Sequence, residues 1–254
     1  MQKIGLALGA GAARGFAHIG VIKKLESENI PIHCISGCSM GSIVGGLYAR
    51  GMEIDMIEGL ATNLDHRKWM DVGVPRKGLL RGKKILELLR FLLRDYNFED
   101  LHLPFACLAA DIQNGMEVVI KDGDVAKAIR ASISIPGIFV PWVDEKGRVL
   151  VDGAVLKRVP IKACKELGAH KVIAVDVDFQ IEDVKVDTIF DVILQSMSIM
   201  QKEIMNYKLT GGDLIIKPNV NKIKPGQFER ADEAIQIGEE ACSEVIEDLK
   251  ALVK

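Results

Sequence analysis

Apolar positions change rhythm along this chain, and each change marks an element. Ile4 to Leu8 is an unbroken apolar run that ends in Gly9-Ala10-Gly11 and gives way to helical spacing at Phe16, Ile19, Ile22 and Leu25. That order predicts a buried strand, a glycine loop and a helix reaching Glu28. Ile32 to Ile35 predicts a second strand, stopped by Gly37-Cys38-Ser39-Met40-Gly41; Ser42 to Ala49 then reads as helix, ended by Gly51. Strands in such a start run parallel with a right-handed crossover, so the loops that follow them open at the same edge of one sheet.

Farther on, residues 53 to 94 lack strand-like runs, and Gly78 to Arg94 reads as one strongly apolar helix with basic residues interspersed. Its apolar arc is broad, which favours a core or cap helix over one that touches anionic lipid or lids an acyl pocket. Strands are predicted at 105–110, 116–120, 149–151 and 171–177, helices at 124–132, 160–167 and 183–208, an edge strand at 213–217 and a final helix at 228–252. The alternation predicts an α/β fold, a three-layer α/β/α sandwich around a mostly parallel or mixed sheet. With no linker, repeat or low-complexity tract, residues 1–254 read as one domain, its core blocks within 4–177 and a helical extension at 183–252.

Composition narrows the classes. Hydrophobic residues at 48% and charged residues at 27% exclude a disordered chain, and a net charge of −2 gives no electrostatic case for nucleic acid. Five cysteines, at 34, 38, 107, 164 and 242, form no CxxC pair and have no histidines at zinc spacing. They read as reduced thiols in a cytoplasmic protein without a metal. No run approaches the roughly 20 apolar residues that span a bilayer, so any membrane contact is peripheral, at the inner surface. Nothing in the sequence sets the oligomeric state.

Gly37-Cys38-Ser39-Met40-Gly41 matches G-x-S-x-G between a predicted strand and helix, the context of a nucleophile elbow. Gly37 and Gly41 permit the sharp turn that puts a serine hydroxyl at a helix N-terminus; the competing reading is an ordinary helix N-cap. The neighbouring loop, Gly9-Ala10-Gly11-Ala12-Ala13-Arg14-Gly15, lies one strand spacing away at the same edge, and its amides can face Ser39 as donors to an oxyanion. A dinucleotide-binding reading fails on two counts. The third glycine stands at 15 instead of 14, and no ribose-binding acid ends the second strand.

A serine nucleophile needs a base. His170 is the only histidine after Asp152, but it precedes the strand 171–177 and belongs at the opposite edge; His18, His33, His66 and His102 read as structural or solvated. Asp152 follows the run Val149-Leu150-Val151 and precedes Gly153, which places a carboxylate at a strand end, although Asp-Gly is also a common solvated turn.

Four blocks, in this order and spacing, resemble the short single-domain bacterial branch of the patatin-like phospholipases along nearly the whole chain. They are the glycine loop with Arg14-Gly15, the Gly37–Gly41 elbow, the stretch Ala131-Ser132-Ile133-Ser134-Ile135-Pro136-Gly137-Ile138-Phe139-Val140-Pro141, and Asp152-Gly153-Ala154. The resemblance implies a patatin-like fold and a serine acyl-ester hydrolase of phospholipids, lysophospholipids or simpler carboxylic esters. It implies a Ser39/Asp152 dyad without histidine, and no cofactor or metal. It assigns the oxyanion hole to the loop of Gly9, Gly11, Ala12, Ala13, Arg14 and Gly15, with the amides of Gly11, Ala12 and Ala13 aimed at the oxyanion. The chain departs from the plant members by one extra residue in this loop, and from many members by Ala154 where they have glycine. Read from the residues alone, 131–141 is a helix end and a proline-punctuated loop that positions the strand delivering Asp152, without a catalytic role. Cys38 reads as a packing residue or, if exposed, as an alkylation-sensitive thiol. The alternative function is a catalytically weak lipid- or protein-binding regulator that keeps the fold.

Overall fold

In the computed structural model, residues 2–65, 68, 70–73, 77–177, 186, 188–206 and 211–253 are described. β1 (Ile4–Leu8) leads through the glycine loop to α1 (Ala17–Ser27), and β2 (Cys34–Cys38) through Ser39 to α2 (Met40–Ala49). Then come α3 (Ile54–Asn63), β3 (Gly78–Leu80), α4 (Lys83–Leu93), the hairpin of β4 (Phe105–Asp111) and β5 (Met116–Ile120), and α5 (Val125–Ser132). Two short strands, β6 (Gly137–Phe139) and β7 (Trp142–Val143), precede β8 (Val149–Asp152). The chain continues with α6 (Ile161–Glu166), β9 (Lys171–Val175), α7 (Ile189–Asn206), β10 (Leu214–Ile216), α8 (Ala231–Glu244) and α9 (Ile246–Leu252).

β10, β9, β1, β2 and β4 are mutually parallel neighbours in that order, whereas β5 and β8 run antiparallel to β4, and β7 antiparallel to β8. The sheet is mixed, with helices on both faces, as the alternation predicts. β1 shows why: Ile4, Leu6 and Leu8 point into the large core under α1, α2 and α8, while Ala7 points to the other face, against Val159, Ile161 and Cys164 around α6. α1 and α8 cross at backbone contact, because a Cβ on Gly20 would strike the Ile235 carbonyl and one on Gly238 the Ala17 carbonyl.

Four expectations are corrected. Gly78–Leu80 is a strand paired with β6, not the start of a helix, and α4 behind it buries Leu89 and Leu93 while leaving Phe91 in solvent. β2 begins at Cys34 and includes Ser36 and Gly37, poor strand formers that are enclosed between β1 and β4. β6 and β7 are too short to show a period. The final helical stretch divides at Val245 into α8 and α9. The predicted helix at 183–208 corresponds to α7 over 189–206; residues 183–185, 187 and 207–208 lie outside the described residues, as does His66.

Candidate active site

β1 and β2 pair in parallel with Leu8 opposite Gly37, which sets the two glycine-containing loops side by side at the C-terminal edge of the sheet. β4 brings in the carboxylate. Its residues Phe105 to Leu108 pair with β2 and its residues Ala109 to Asp111 with β8, while β5 runs along Cys107 to Asp111. One side of a strand residue accommodates one neighbour, so β5 holds one side of β4 and the other passes from β2 to β8. Cys38 lies opposite Leu108 and Asp152 opposite Ala109. The two strands therefore meet head-on, and the residues at the junction are Ser39 and Asp152.

Ser39 has φ 53° and ψ −122°, a region that side-chain-bearing residues avoid at a cost on the order of 1–3 kcal/mol. Its surroundings enforce it. A Cβ at Gly37 would collide with the Gly41 carbonyl and the Ser42 backbone, and one at Gly41 with the carbonyls of Leu8 and Gly9. The Ser39 N–H donates to Ser132 Oγ at 2.9 Å, and the Ser132 hydroxyl donates to the Leu108 carbonyl at 2.7 Å. The Ser39 side chain, at the N-terminus of α2 in a residue only 5% exposed, lies close enough to the Asp152 carboxylate to lower its pKa.

Asp152 is 2% exposed. Burial pushes its carboxyl up to about 6, while hydrogen bonds from Ser39, from the Ala154 amide at 2.9 Å and from the Cys38 thiol at 3.7 Å act to lower it. Such a carboxylate is ionised at neutral pH yet more basic than an exposed one, the condition a general base needs. The Asp152 N–H donates to the Ser134 carbonyl at 2.9 Å. Ser134 is fixed in turn by buried Arg130, which donates to Ser134 Oγ at 2.7 Å and to the carbonyls of Arg81, Gly82 and Val140.

The glycine loop is tied down donor by donor. Gly9 N–H bonds the Val175 carbonyl, Ala10 N–H that of Arg158, Ala13 N–H that of Pro225 and Arg14 N–H that of Gly11, all at 3.0–3.1 Å. Among the described residues the Gly11 and Ala12 amides have no backbone acceptor, and Ala12 sits at φ 48°. His18 lies beneath: its Nε2 is 2.7 Å from the Gly9 carbonyl, and burial lowers the ring's pKa to about 4, so the neutral ring donates from Nε2. The Arg14 Nε donates to the Ile223 carbonyl at 2.6 Å, and Arg158 forms a buried ion pair with Asp176.

Ser39, Asp152, Gly11, Ala12, Arg14 and Arg158 line one cavity of about 60 Å³, with Met197 and Ser198 of α7 over it. A larger open groove of about 470 Å³ between Asp124, Trp142 and Arg148 contains neither Ser39 nor Asp152; its charged rim and open form mark it as a surface fold between hairpin and helix. Cys38 is buried, its thiol pushed up by burial and by Asp152, so the exposed, alkylation-sensitive thiol is ruled out. His33 and His170 accept the N–H groups of Ile4 and Lys3 at the opposite edge of the sheet. Among the described residues no three His, Cys, Asp or Glu side chains gather to hold a metal. Sequence reasoning gave no role to Ser132, Arg130 or Arg158; polar residues embedded in apolar runs were the available signal.

A model of the family described as patatin-like phospholipase matches residues 6–165. An uncharacterised NTE family protein of Mycobacterium tuberculosis is 37% identical over 179 residues, 69% of this chain and 49% of that protein. Lysophospholipase NTE1 of Mycosarcoma maydis is 37% identical over 182 residues, 69% of this chain and 10% of that protein. The chain thus spans about half the length, or less, of these curated relatives. Among solved structures, VipD from Legionella pneumophila superimposes with a TM-score of 0.68 over 97% of this chain and 67% of its own, at 14% identity. That likeness shows the fold.

Proposed function

Because the chain belongs to the patatin-like phospholipase family, we propose that it is a serine acyl-ester hydrolase of lipid esters: phospholipids, lysophospholipids or simpler carboxylic esters. The observation that carries this reading is the head-on junction on β4, which brings a strained serine and a buried carboxylate to one cavity. Ser39 Oγ attacks the ester carbonyl as its proton passes to Asp152. The tetrahedral oxyanion forms beside the Gly11 and Ala12 amides, which have no backbone acceptor among the described residues, whereas Gly9, Ala10 and Ala13 donate to Val175, Arg158 and Pro225. Asp152 returns the proton to the leaving alcohol, and water repeats the sequence on the acyl-enzyme, with no cofactor in any step. Among the described residues no helix is long and apolar enough to cross a membrane.

A fluorophosphonate probe tests the reading. Labelling of the wild type but not of Ser39→Ala, with a loss of turnover of up to about 10⁶-fold, supports hydrolysis. An unlabelled wild type favours the catalytically weak regulator.

A further inference from the structure

The cavity at Ser39 is far smaller than its proposed substrate. Pockets for drug-sized ligands run to roughly 300–1,000 Å³, against about 60 Å³ here. A lipid ester reaches Ser39 only if a wall moves, and the wall contributed from outside the sheet is α7. Among the described residues, α7 rests on the turn at 153–155 after β8 and, through Ile193, on Gly137; Met197 and Ser198 face the cavity. Its outer side is mostly apolar, interrupted by exposed Ser196. Ile189, Val192, Ile199 and Met200 recur at helical spacing and are 47–71% exposed.

Two further features share that edge. β4 runs two residues past the level of Ser39, so its hairpin tip carries Ile112 and Met116 beyond the site, both more than half exposed. β10 is parallel to β9 and β1, so the loop leaving it emerges at the same edge. That loop supplies Pro225 to the cavity and holds Lys217, Lys222 and Lys224, with no acidic residue between 214 and 227. Exposed apolar side chains together with cations, around a site closed to its own substrate, match an anionic lipid surface and do not match a neutral protein partner.

We propose that this edge is a docking face for an anionic bilayer, into which α7 inserts its apolar stripe, and that docking draws α7 away from the Ser39 cavity. The proposal rests on the lipid-ester reading for its substrate but is tested apart from it. The probe is a vesicle of ether-linked phosphatidylcholine with or without ether-linked phosphatidylserine, which an esterase cannot consume. The wild type co-sediments with the phosphatidylserine vesicles, and its hydrolysis of a soluble short-chain ester rises several-fold on docking. Val192→Glu/Ile199→Glu keeps the soluble-ester rate and melting temperature of the free protein but loses both vesicle binding and stimulation. Lys217→Glu/Lys222→Glu weakens binding to anionic vesicles by at least about 30-fold, from about fivefold per lysine. Wild-type protein that stays in the supernatant overturns the proposal, as does vesicle binding that survives in the α7 variant, or self-association lost in place of lipid binding. Docking without stimulation overturns the opening of the cavity. If Ser39→Ala still cleaves the soluble ester, it is the hydrolase reading that fails, whatever the vesicles show.

Discussion

The two edges of the central sheet are built from similar residues and treat them in opposite ways. At the N-terminal edge, the rings of His33 and His170 sit in partial or full solvent and accept ordinary backbone N–H groups. At the C-terminal edge, Arg14, His18, Ser39, Ser132, Asp152, Arg158 and Asp176 are all buried, one of them in a forbidden backbone conformation and one with its carboxyl displaced upward. Burying polar groups costs stability unless each is satisfied. The edge that carries this cost is the one where chemistry is proposed, and the histidine edge is scaffolding.

The most severe way to break the contrast is Asp152→Asn. We expect a loss in kcat of about 10³–10⁴-fold, by analogy with the removal of a base partner from a triad, together with a rise in melting temperature at neutral pH. The sign follows from the raised carboxyl. The native state binds this proton more tightly than the unfolded chain, so the contribution of Asp152 to stability is most favourable below the ordinary value of 3.8 and is lost as pH climbs through about 6. The loss amounts to roughly 3 kcal/mol at full ionisation. Thermal melts of both proteins across pH 4–8 check it: a gap that widens with pH supports the assignment, and a constant gap refutes it.

Next in size is the pH dependence of the wild type. kcat/KM should be flat above about 6 and fall about tenfold per unit below it, near 100-fold two units lower, as the base is protonated. A profile without this limb removes Asp152 as the base. Ser132→Ala removes the acceptor for the Ser39 N–H and the donor to Leu108, and we expect about a tenfold fall in kcat with KM little changed, and a loss of about 1–3 kcal/mol in chemical denaturation. His170→Ala, at the opposite edge, should leave the rate unaltered and stability within about 0.5 kcal/mol; a dead His170→Ala enzyme would reverse the contrast between the edges.

What could be read in the sequence was what is local. A strand, a G-x-S-x-G turn and a helix follow one another along a few residues, so Ser39 announces itself; an acid after three apolar residues does the same for Asp152. The neighbouring glycine loop is legible because a parallel crossover fixes its edge. Ser132 and Arg130 are not, because their partners, Ser39 at one end and the carbonyls of Arg81, Gly82 and Val140 at the other, come together only once α5 packs on β4. β3 and β6 stabilise each other although their paired residues are 59 apart in the chain, Gly78 opposite Gly137 to Leu80 opposite Phe139, and neither is long enough to display a period alone. The resemblance offers the amides of Gly11, Ala12 and Ala13 to the oxyanion, but Ala13 donates to the Pro225 carbonyl instead, and which loop amides are taken depends on Val175, Arg158 and Pro225, residues far along the chain.

The relay on β4 also implies where this scaffold tolerates changes of length. Since Cys38, the residue before the nucleophile, and the base Asp152 are registered against two consecutive residues of one strand, residues added at the distal bend at 144–147 leave the reacting atoms in place. A one-residue deletion within Phe105 to Ala109 shifts one of the two pairings against the other by about one strand step, roughly 3.3 Å, and so breaks their register. Diversification by insertion is thus open to the periphery and closed to five residues at the centre.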